Sequence, residues 1–374
     1  MDKHQKSILL FTEWADPRFH QGVARYARRA NWHLNLDAVY GRRLPADWKG
    51  DGCIHMVESR EALAFIEKLN VPCPVVCGDA KCEGSEAADY FAHLGFRHFV
   101  CYTTDRSEPI TRLRFGGYEE RLKQMGLSAT LLAWGKTGSE KGIAWGARKQ
   151  WLSEELKKQP KPVAVFCIDD RLALSAVEAC MDAGIEIPGE VAVLGVGNME
   201  LACECSAVPI SSIRIDFDTL GYEAAAQLDR ILDGEPVTQP YVVPAGGIEE
   251  RRSTYTLAVD DERGRKALRF MLDHFHEPIG VNDIAKAGRL TRWQLTTITR
   301  RDLDTTPTRL LEDTRVKKSC ELLRTTNYPI KRVAYETGLG TALRLQRIFR
   351  KRFECSPSAW RKAQEEAAGG QPRR

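Results

Sequence analysis

The amino-acid sequence predicts an α/β unit of two subdomains followed by an all-α unit, and three observations predict this division. Residues 6–260 alternate short runs of β-branched and aromatic residues with amphipathic helical stretches, and strand patterns end at Arg263. The 374 residues, 43% of them hydrophobic, suffice for two or three domains. Residues 262–374 hold 25 Lys and Arg against 13 Asp and Glu, a formal charge of +12, whereas residues 1–261 carry −8. A basic segment on an acidic body is expected of a module that binds a polyanion, although a solvated surface is the simpler interpretation of charge alone.

The alternation along the first unit predicts parallel sheets with helices on both faces, and its length favours two sheets over one. Gly95, Gly126 and Gly184 follow helical runs at the position where a left-handed residue ends a helix. The predicted strands are 7–11, 34–39, 52–56, 74–77, 98–102, 129–133, 163–168, 191–196 and 210–215. The predicted helices are 19–29, 60–69, 85–94, 112–125, 142–157, 171–183 and 219–232.

Composition argues against export, membrane insertion and metal binding. The first residues carry charge before a short apolar run, and no stretch approaches the roughly 18 apolar residues that a membrane span needs. The eleven cysteines are odd in number and show no repeated C-x-x-C pair, and the nearest cluster is Cys203 with Cys205. We therefore expect a cytoplasmic protein with reduced thiols, no metal site, no cofactor and no membrane partner.

The all-α unit contains two segments of one design. In each, a short helix with Ile or Val and Ala at core spacing ends at Gly288 or Gly338, and a second helix follows after three or four residues. This is the pattern of a helix-turn-helix motif, whose second helix enters the major groove of DNA. The predicted helices are 265–274, 281–287, 292–301, 307–324, 330–336 and 343–352, with a last turn near Trp360.

The second helices of the two motifs, which we call the reading helices, carry side chains suited to DNA. Thr291 and Thr341 suit N-caps, whose hydroxyl and neighbouring amides can hold phosphate. Arg pairs with guanine and Gln with adenine, while Trp or Thr packs on a thymine methyl. An ordinary exposed helix face is the alternative, for Gln294 and Arg350 in particular. The predicted DNA contacts are Thr291, Arg292, Trp293, Gln294, Thr296, Thr297, Arg300, Thr341, Arg344, Gln346, Arg347 and Arg350.

Spaced elements of this region resemble the DNA-binding domain of the AraC/XylS family over residues 264–363. They are Ile284-Ala285, Thr291-Arg-Trp-Gln-Leu295, the run from Arg315 to Leu323, Ile330-Lys-Arg-Val-Ala334 with Gly338, Phe349-Arg-Lys-Arg-Phe353 and Ser356-Pro-Ser-Ala-Trp-Arg361. The resemblance implies a long helix that joins two helix-turn-helix units in successive major grooves. It places Trp293, Thr296 and Thr297 in the first groove and Arg344, Gln346 and Arg347 in the second.

This chain departs from the family pattern at three positions. Thr299 stands where the family has Phe, Asp304 replaces a Gly after the first reading helix, and Leu339 replaces Phe after Gly338. These departures bear on how the first helix-turn-helix unit packs and on its share of the affinity for DNA.

The first unit resembles the effector domain of lactose-repressor-type regulators, which has the fold of periplasmic sugar-binding proteins. The elements that carry the resemblance are Arg114-Phe-Gly-Gly-Tyr118, Phe166-Cys-Ile-Asp-Asp170, the run from Gly184 to Asn198, Ser211-Ser-Ile213 and Ile248-Glu-Glu-Arg-Arg-Ser-Thr254. With the basic domain attached, the architecture resembles regulators of xylose operons. That implies a small sugar effector such as D-xylose, a homodimer on direct-repeat duplex DNA, and RNA polymerase as a partner.

A sugar cleft needs carboxylates and amides for hydroxyl groups, a forked Arg donor and an aromatic face. The resemblance places Arg114, Asp170 and Asn198 at ligand-contacting positions. Position after the first strand adds Trp14 and Asp16, for which a packed loop Trp and a helix N-cap are the alternatives. Gly197 stands where related proteins have Asp, so one hydroxyl acceptor is missing.

Two other functions compete with a sugar-responsive regulator. An amidase-like domain would place a nucleophilic cysteine at a strand-to-helix elbow, and Cys101 follows a strand pattern without an immediate helix. A transport receptor would not account for the basic segment, and a non-sugar metabolite stays open as effector. The predicted domains are a sensor at 5–257, a DNA-binding domain at 264–363 and a disordered tail at 364–374.

Overall fold

The computed structural model describes residues 5–13, 16–40, 48–56, 60–74, 76–135, 145–236 and 240–367. It divides into two compact units. The first comprises residues 1–91, 98–187 and 193–254, and the second comprises residues 92–97, 188–192 and 255–374. The first unit ends at residue 254, three residues before the predicted end of the sensor domain at residue 257.

The first unit holds eleven strands, nine α-helices and a 3-10 helix (Arg252–Thr254) among the described residues. The strands are β1 (Ser7–Thr12), β2 (His33–Asn35), β3 (Gly52–Met56), β4 (Val76–Gly78), β5 (His98–Thr103), β6 (Ala129–Ala133), β7 (Val163–Cys167), β8 (Val191–Gly197), β9 (Ser211–Arg214), β10 (Tyr241–Val243) and β11 (Ile248–Glu249). The helices are α1 (Pro17–Ala30), α2 (Asp37–Tyr40), α3 (Arg60–Leu69), α4 (Ala80–His93), α5 (Pro109–Gln124), α6 (Trp145–Lys158), α7 (Asp170–Asp182), α8 (Glu200–Glu204) and α9 (Phe217–Leu232).

These elements form two lobes, as the alternation predicts. In the first lobe, β1 pairs in parallel with β2 and β3, and β4 pairs in parallel with β10. In the second lobe, a six-stranded sheet has the order β11-β9-β8-β7-β5-β6. The pairs β8–β9, β5–β7 and β5–β6 are parallel, and β11 is antiparallel to β9. Because the paired strands of each lobe are mainly parallel, their carboxyl ends lie at one edge, which is where ligands bind in open α/β folds.

Burial explains why the central strands are almost wholly apolar. Every residue of β7 and of β8 is buried, as expected for strands covered by helices on both faces. In the first lobe, α1 packs closely on α9, and a Cβ at Gly22 would collide with the backbone carbonyl of Asp218. Glycine at this crossing therefore allows the two helix backbones to meet.

The second unit is helical throughout its described length after residue 261, apart from short connections. Its helices are α10 (Glu262–His274), α11 (Val281–Ala287), α12 (Arg292–Leu303), α13 (Pro307–Thr325), α14 (Ile330–Glu336), α15 (Ala342–Phe353) and α16 (Pro357–Ala367). Two cores form. One contains Ile284, Leu295 and Leu311, and the other contains Val316 and Phe349, so the long helix α13 contributes to both.

Three sequence expectations need correction. The strand predicted at 34–39 stops at Asn35, because Asn35 accepts the Asp37 backbone amide and a short helix begins there. Helix α8 and the short strands β10 and β11 were not predicted. Residues 364–367, predicted to be part of a disordered tail, continue α16, whereas residues 368–374 lie outside the described ranges.

Candidate effector cavity and DNA interface

A cavity of about 1340 Å³ lies within the first unit, at the carboxyl ends of strands from both lobes. Thr12, His55 and Gly78 line it from β1, β3 and β4. Trp134 directly follows β6, and Asp169 lies two residues after the end of β7. Parallel strands bring these positions together although they are far apart in sequence. The second lobe also supplies Asp105, Glu108, Arg114, Arg148, Arg171 and Met199 to the lining.

Arg114, a predicted ligand contact, lines the cavity and forms a buried ion pair with Glu83. Its Nε donates to Glu83 at 2.6 Å, and its Nη1 donates to the carbonyl oxygen of Ile168 at 2.7 Å. Both side chains are buried. They meet because α4 and α5 cross closely, and a Cβ at Gly84 or Gly117 would collide with the opposite backbone. The guanidinium is thereby fixed in direction, which suits it to a ligand hydroxyl or carboxylate.

Asp170 does not line the cavity, contrary to the position that the resemblance gives it. The side chain is fully buried, and its two oxygens accept from the Ser212 hydroxyl at 2.6 Å and from the Met199 amide at 2.7 Å. Burial raises the pKa of this carboxyl above its ordinary value, and the two hydrogen bonds oppose that effect. Asp170 therefore ties the start of α7 to β9 and to the turn after β8.

Asp169, the preceding residue, lines the cavity instead. Its Oδ1 accepts the Leu172 amide at 2.8 Å as the N-cap of α7, and its Oδ2 accepts from Arg171 at 2.7 Å. The sequence signal was the Asp-Asp pair at the strand-to-helix junction. Periodicity alone does not say which of two adjacent carboxylates points into a turn, and the resemblance favoured the other one.

Gly197 and Asn198 form the turn after β8. Gly197 has a φ of +117°, a region that favours glycine, and a Cβ there would lie 3.4 Å from Asp170 Oδ2. The backbone conformation at Gly197 therefore explains why this chain has glycine where related proteins have Asp. Asn198, also at positive φ, donates its amide to Ser212 Oγ at 3.0 Å, while its Oδ1 is buried without a hydrogen bond among the described residues. Asn198 does not itself line the cavity, whereas its neighbours Gly197 and Met199 do. A buried acceptor without a partner beside a cavity favours a ligand donor.

Asp16 has the role of an N-cap. Its carboxylate accepts the Arg18 amide at 2.9 Å and pairs with the Arg18 guanidinium at 2.7 Å, and it is not part of the cavity lining. Arg18 in turn donates to the carbonyl oxygen of Gly197 at 2.9 Å and lies 5.0 Å from the centre of the Phe217 ring. Asp16 thus orients a contact between the lobes. Trp14, the aromatic residue predicted for the site, lies outside the described residues.

Two residues that line the cavity, Trp134 and His55, were not predicted from the sequence. Trp134 supplies an aromatic side chain and packs edge-on against Trp151 with ring centroids 5.2 Å apart. His55 is a polar residue in the otherwise apolar strand β3, which was the available signal. Burial lowers the pKa of His55, and its Nδ1 is buried without a hydrogen bond in the described part of the chain. The neutral imidazole is therefore available to a ligand.

The amidase-like alternative is not favoured. Cys101 is fully buried in the interior of β5, and burial raises the pKa of its thiol. The strand continues to Thr103 and the next helix begins only at Pro109. A nucleophilic cysteine requires an accessible thiolate, which this position does not supply.

The reading helices are α12 and α15, with the N-caps that the sequence predicts. Thr291 Oγ1 accepts the Gln294 amide, and Thr341 Oγ1 accepts the Arg344 amide, each at 3.2 Å. Leu295 and Leu345 are fully buried beneath these caps. Of the residues predicted to contact DNA, Arg292, Trp293, Thr297, Arg300, Arg344, Gln346, Arg347 and Arg350 are exposed together with the two caps, whereas Gln294 and Thr296 are half-buried.

The departures from the family pattern are accommodated in the two cores. Thr299 is buried, and its hydroxyl donates to the carbonyl oxygen of Thr296 at 3.2 Å. Asp304 ends α12 in the left-handed region with a φ of 50°, and Glu354 ends α15 in the same way. Leu339 is buried in the second core. The two motifs therefore have helices of equal length, 7 residues in α11 and α14 and 12 residues in α12 and α15.

Polar groups of α12 are largely used inside the protein. Gln294 Oε1 accepts the Thr291 amide at 2.8 Å, which completes a capping box. The hydroxyl groups of Thr296 and Thr297 donate to the carbonyl oxygens of Arg292 and Trp293. Gln294 Nε2 keeps its donor hydrogens, and Arg292 and Arg300 are exposed, so these three side chains are the donors that the first reading helix offers to DNA.

Arginines of α15 divide into two sets. Arg352 pairs with Glu312 at 2.9 Å and with Asp313, which ties α15 to α13. Arg344, Arg347 and Arg350 are exposed and have no ion pair or side-chain hydrogen bond within the described residues. Free guanidinium groups on one helix face suit phosphate and guanine.

Residues 88–254 match the family model of a periplasmic binding protein-like domain, and residues 284–363 match that of a helix-turn-helix domain. The chain therefore combines a periplasmic binding protein-like domain with a helix-turn-helix domain. This combination is that of a DNA-binding transcriptional regulator.

The relatives are of the same class. The xylose operon regulatory protein of Escherichia coli (strain K12) is 22% identical over 97% of this chain and 98% of its own length. A solved structure of a xylose-binding transcription activator superposes with a TM-score of 0.61 at 20% identity, covering 97% of this chain and 99% of that one. The dimeric Lac repressor superposes with a TM-score of 0.52 at 16% identity, covering 66% of this chain and 98% of that one. No helix in the described ranges is long and apolar enough to cross a membrane.

Proposed function

We propose that this chain binds a small sugar in the cavity of its first unit and that the bound sugar changes how its basic unit occupies an operator. The observation that carries the proposal is the cavity, where aligned strand ends from two lobes present acceptors, donors and an aromatic face. The role is regulatory rather than catalytic.

The ligand contacts that the geometry favours are Asp169, Arg114, Asn198 and His55, with Trp134 covering the apolar face of the sugar ring. A carboxylate and an amide oxygen accept from vicinal hydroxyl groups, and the fixed guanidinium donates. Asp170 is a positioning residue, because it holds the Met199 amide and the Ser212 hydroxyl that build the turn at Asn198. A pentose, D-xylose among them, is the first candidate.

Cavity size supports a conformational response. Ligand pockets in proteins have volumes of roughly 300–1,000 Å³, so this cavity is wide for one monosaccharide and fits an open arrangement of the lobes. Ligand-driven closure shifts the protein only if the sugar binds the closed state more tightly. Ser253 and Thr254, at the end of the first unit, are buried and hydrogen-bonded to Val193 and Ser211, so movement of the second lobe moves residue 254 as well.

The proposed operator is a direct repeat bound by a homodimer. Each basic unit holds two reading helices, so one chain covers two adjacent major-groove segments, about one helical turn apart. Activation through RNA polymerase is the corresponding output. Binding of operator DNA by a dimer, measured by sedimentation with one or two half-sites, and transcription in a purified system test these two parts.

The decisive experiment for the sugar is a thermal-shift and calorimetry screen of the full chain with D-xylose, L-arabinose, D-ribose and D-glucose. A ligand at about a hundred times its Kd stabilises the folded protein by about 2.7 kcal/mol. Asp169→Asn should weaken the binding sugar, whereas Asp216→Asn, which changes the N-cap of α9 outside the cavity lining, should not. Stabilisation by nucleobases or organic acids instead of sugars would overturn the proposal.

A further inference from the structure

Two cysteines that are distant in sequence meet in the first lobe. Cys53 lies in β3, and Cys73 lies in the segment between α3 and β4. Both are free thiols. Cys53 is fully buried, whereas Cys73 is half-buried and packs against the core cluster that contains Cys53. Of the two thiols, that of Cys73 is the one within reach of a reagent in solution.

The backbone holds the pair at the separation that a disulfide requires. The amide of Cys53 donates to the carbonyl oxygen of Pro72 at 2.9 Å, which is the bond that sets residue 73 opposite residue 53 in a parallel strand pair. Neighbouring strands are about 4.8 Å apart, and the Cα atoms of cysteines joined by a disulfide are about 4.4–6.8 Å apart. A bond between the two sulfur atoms therefore needs no large movement of the backbone.

The two side chains differ in reactivity. The Cys53 thiol donates a hydrogen bond to the sulfur of Cys73, which raises the pKa of Cys53, as burial also does. The same hydrogen bond lowers the pKa of Cys73, and burial opposes that effect. Because the thiolate is the form that attacks an electrophile, Cys73 is the nucleophile and Cys53 is the thiol that reacts with the product.

We propose that Cys53 and Cys73 form a redox pair that a hydroperoxide converts to a disulfide. The Cys73 thiolate attacks the terminal oxygen of the peroxide, the O–O bond breaks, and the departing oxygen takes up a proton. Cys73 is thereby oxidised to a sulfenic acid, and the peroxide is reduced to an alcohol, or to water in the case of hydrogen peroxide. The Cys53 sulfur then attacks the sulfenic sulfur, and its proton leaves with the hydroxide as water while the S–S bond forms.

The position of the pair gives the disulfide a structural effect. His55 follows Cys53 by two residues on β3 and lines the cavity. Pro74, next to Cys73, lines it as well, although neither cysteine does. The disulfide would join the two segments that carry these residues and close a loop over residues 54–72. Such a cross-link stabilises the folded state, because it restricts the unfolded chain. Oxidation therefore fixes one wall of the cavity, whichever effector binds there.

Peptide mapping of the full chain after treatment with hydrogen peroxide tests the proposal. Trypsin leaves Cys53 in the peptide 50–60 and leaves Cys73, together with Cys77, in the peptide 69–81. We expect one cross-link between these peptides, assigned to Cys73 by fragmentation and reversed by dithiothreitol. First-lobe amides that exchange by unfolding should exchange about a hundredfold more slowly in the oxidised chain.

Two variants separate the roles of the thiols. Cys53→Ala keeps a small apolar side chain in the core and removes the second thiol, so Cys73 should accumulate as a sulfenic acid that dimedone labels. Cys205→Ala is the matched control, because Cys205 is an exposed cysteine at the end of α8 in the second lobe. This variant should form the same cross-link as the original chain.

Three results would overturn the proposal. They are the absence of a cross-link in the original chain, a cross-link through Cys77, and equal dimedone labelling of Cys73 in the original and Cys53→Ala chains. The first two are read from the original chain alone, so they do not depend on the folding of a variant.

Discussion

Arg315 of α13 provides the sharpest test of how the DNA-binding unit is held together. The side chain is 6% exposed, and its Nε and Nη2 donate to the carbonyl oxygens of Phe275 and Glu277, each at 2.8 Å. It thus fixes the end of α10 against the helix that joins the two motifs. Arg315→Met keeps most of the aliphatic volume and removes both donors.

The magnitude follows from opposing contributions. A hydrogen bond with a charged donor contributes about 1.5–3 kcal/mol, and two are lost together with the partners of two carbonyl oxygens. Burying the charged guanidinium is itself unfavourable, and this cost offsets part of the hydrogen-bond energy. Burial is the larger of the two causes that lower the pKa of Arg315, and repulsion by Arg344 is the smaller. We therefore expect a loss of about 3 kcal/mol in the free energy of unfolding, rather than the full sum.

Native-state hydrogen exchange of the full chain measures this loss within the second unit. Amides of α13 that exchange by unfolding of this unit should exchange roughly a hundredfold faster in Arg315→Met. Arg309→Met is the matched control, because Arg309 lies on the same helix with its side chain 76% exposed and only a 3.9 Å contact to Asp313. Equal exchange rates in the two variants would refute the reasoning.

Three further predictions concern backbone, base reading and pH. In a urea titration, Gly338→Ala should lower the free energy of unfolding by about 2–4 kcal/mol, because φ is +69° and the Cβ would collide with the Phe275 carbonyl oxygen. Gly340→Ala, at a φ of +78° with open space around it, should lower it by only about 1 kcal/mol. Arg347→Ala should weaken the free energy of operator binding by about 1–3 kcal/mol, and binding by the variant should no longer respond to 7-deazaguanine at one position. An equal loss of affinity for random DNA would contradict base reading. Because burial raises the pKa of Asp170, the folded state binds its proton more tightly than the unfolded state does. The contribution of this group to the free energy of unfolding therefore falls as pH rises from about 3.8 through the folded pKa. Asp170→Asn should remove this dependence of the unfolding free energy on pH. Parallel pH profiles for the variant and the original protein would contradict the prediction.

The sequence by itself determined the elements that depend on local pattern. The strands at 52–56 and 129–133 and the helices at 60–69, 281–287 and 330–336 have the predicted bounds, because periodicity and cap residues act over a few positions. The two-lobed α/β unit, the paired helix-turn-helix motifs and the outer faces of the reading helices followed from the same signals. The helix at 37–40 was not predicted, because four residues are too few to show a helical period.

Only the tertiary structure decided which polar side chains face the cavity. Asp169 rather than Asp170 lines it, Asp16 caps a helix, and Trp134 and His55 enter from strands distant in sequence. On α12 it also decided that Gln294 serves the helix cap. The direction of a side chain at a turn depends on which donors other strands bring within hydrogen-bond distance, and those donors are fixed only when the sheets and helices pack.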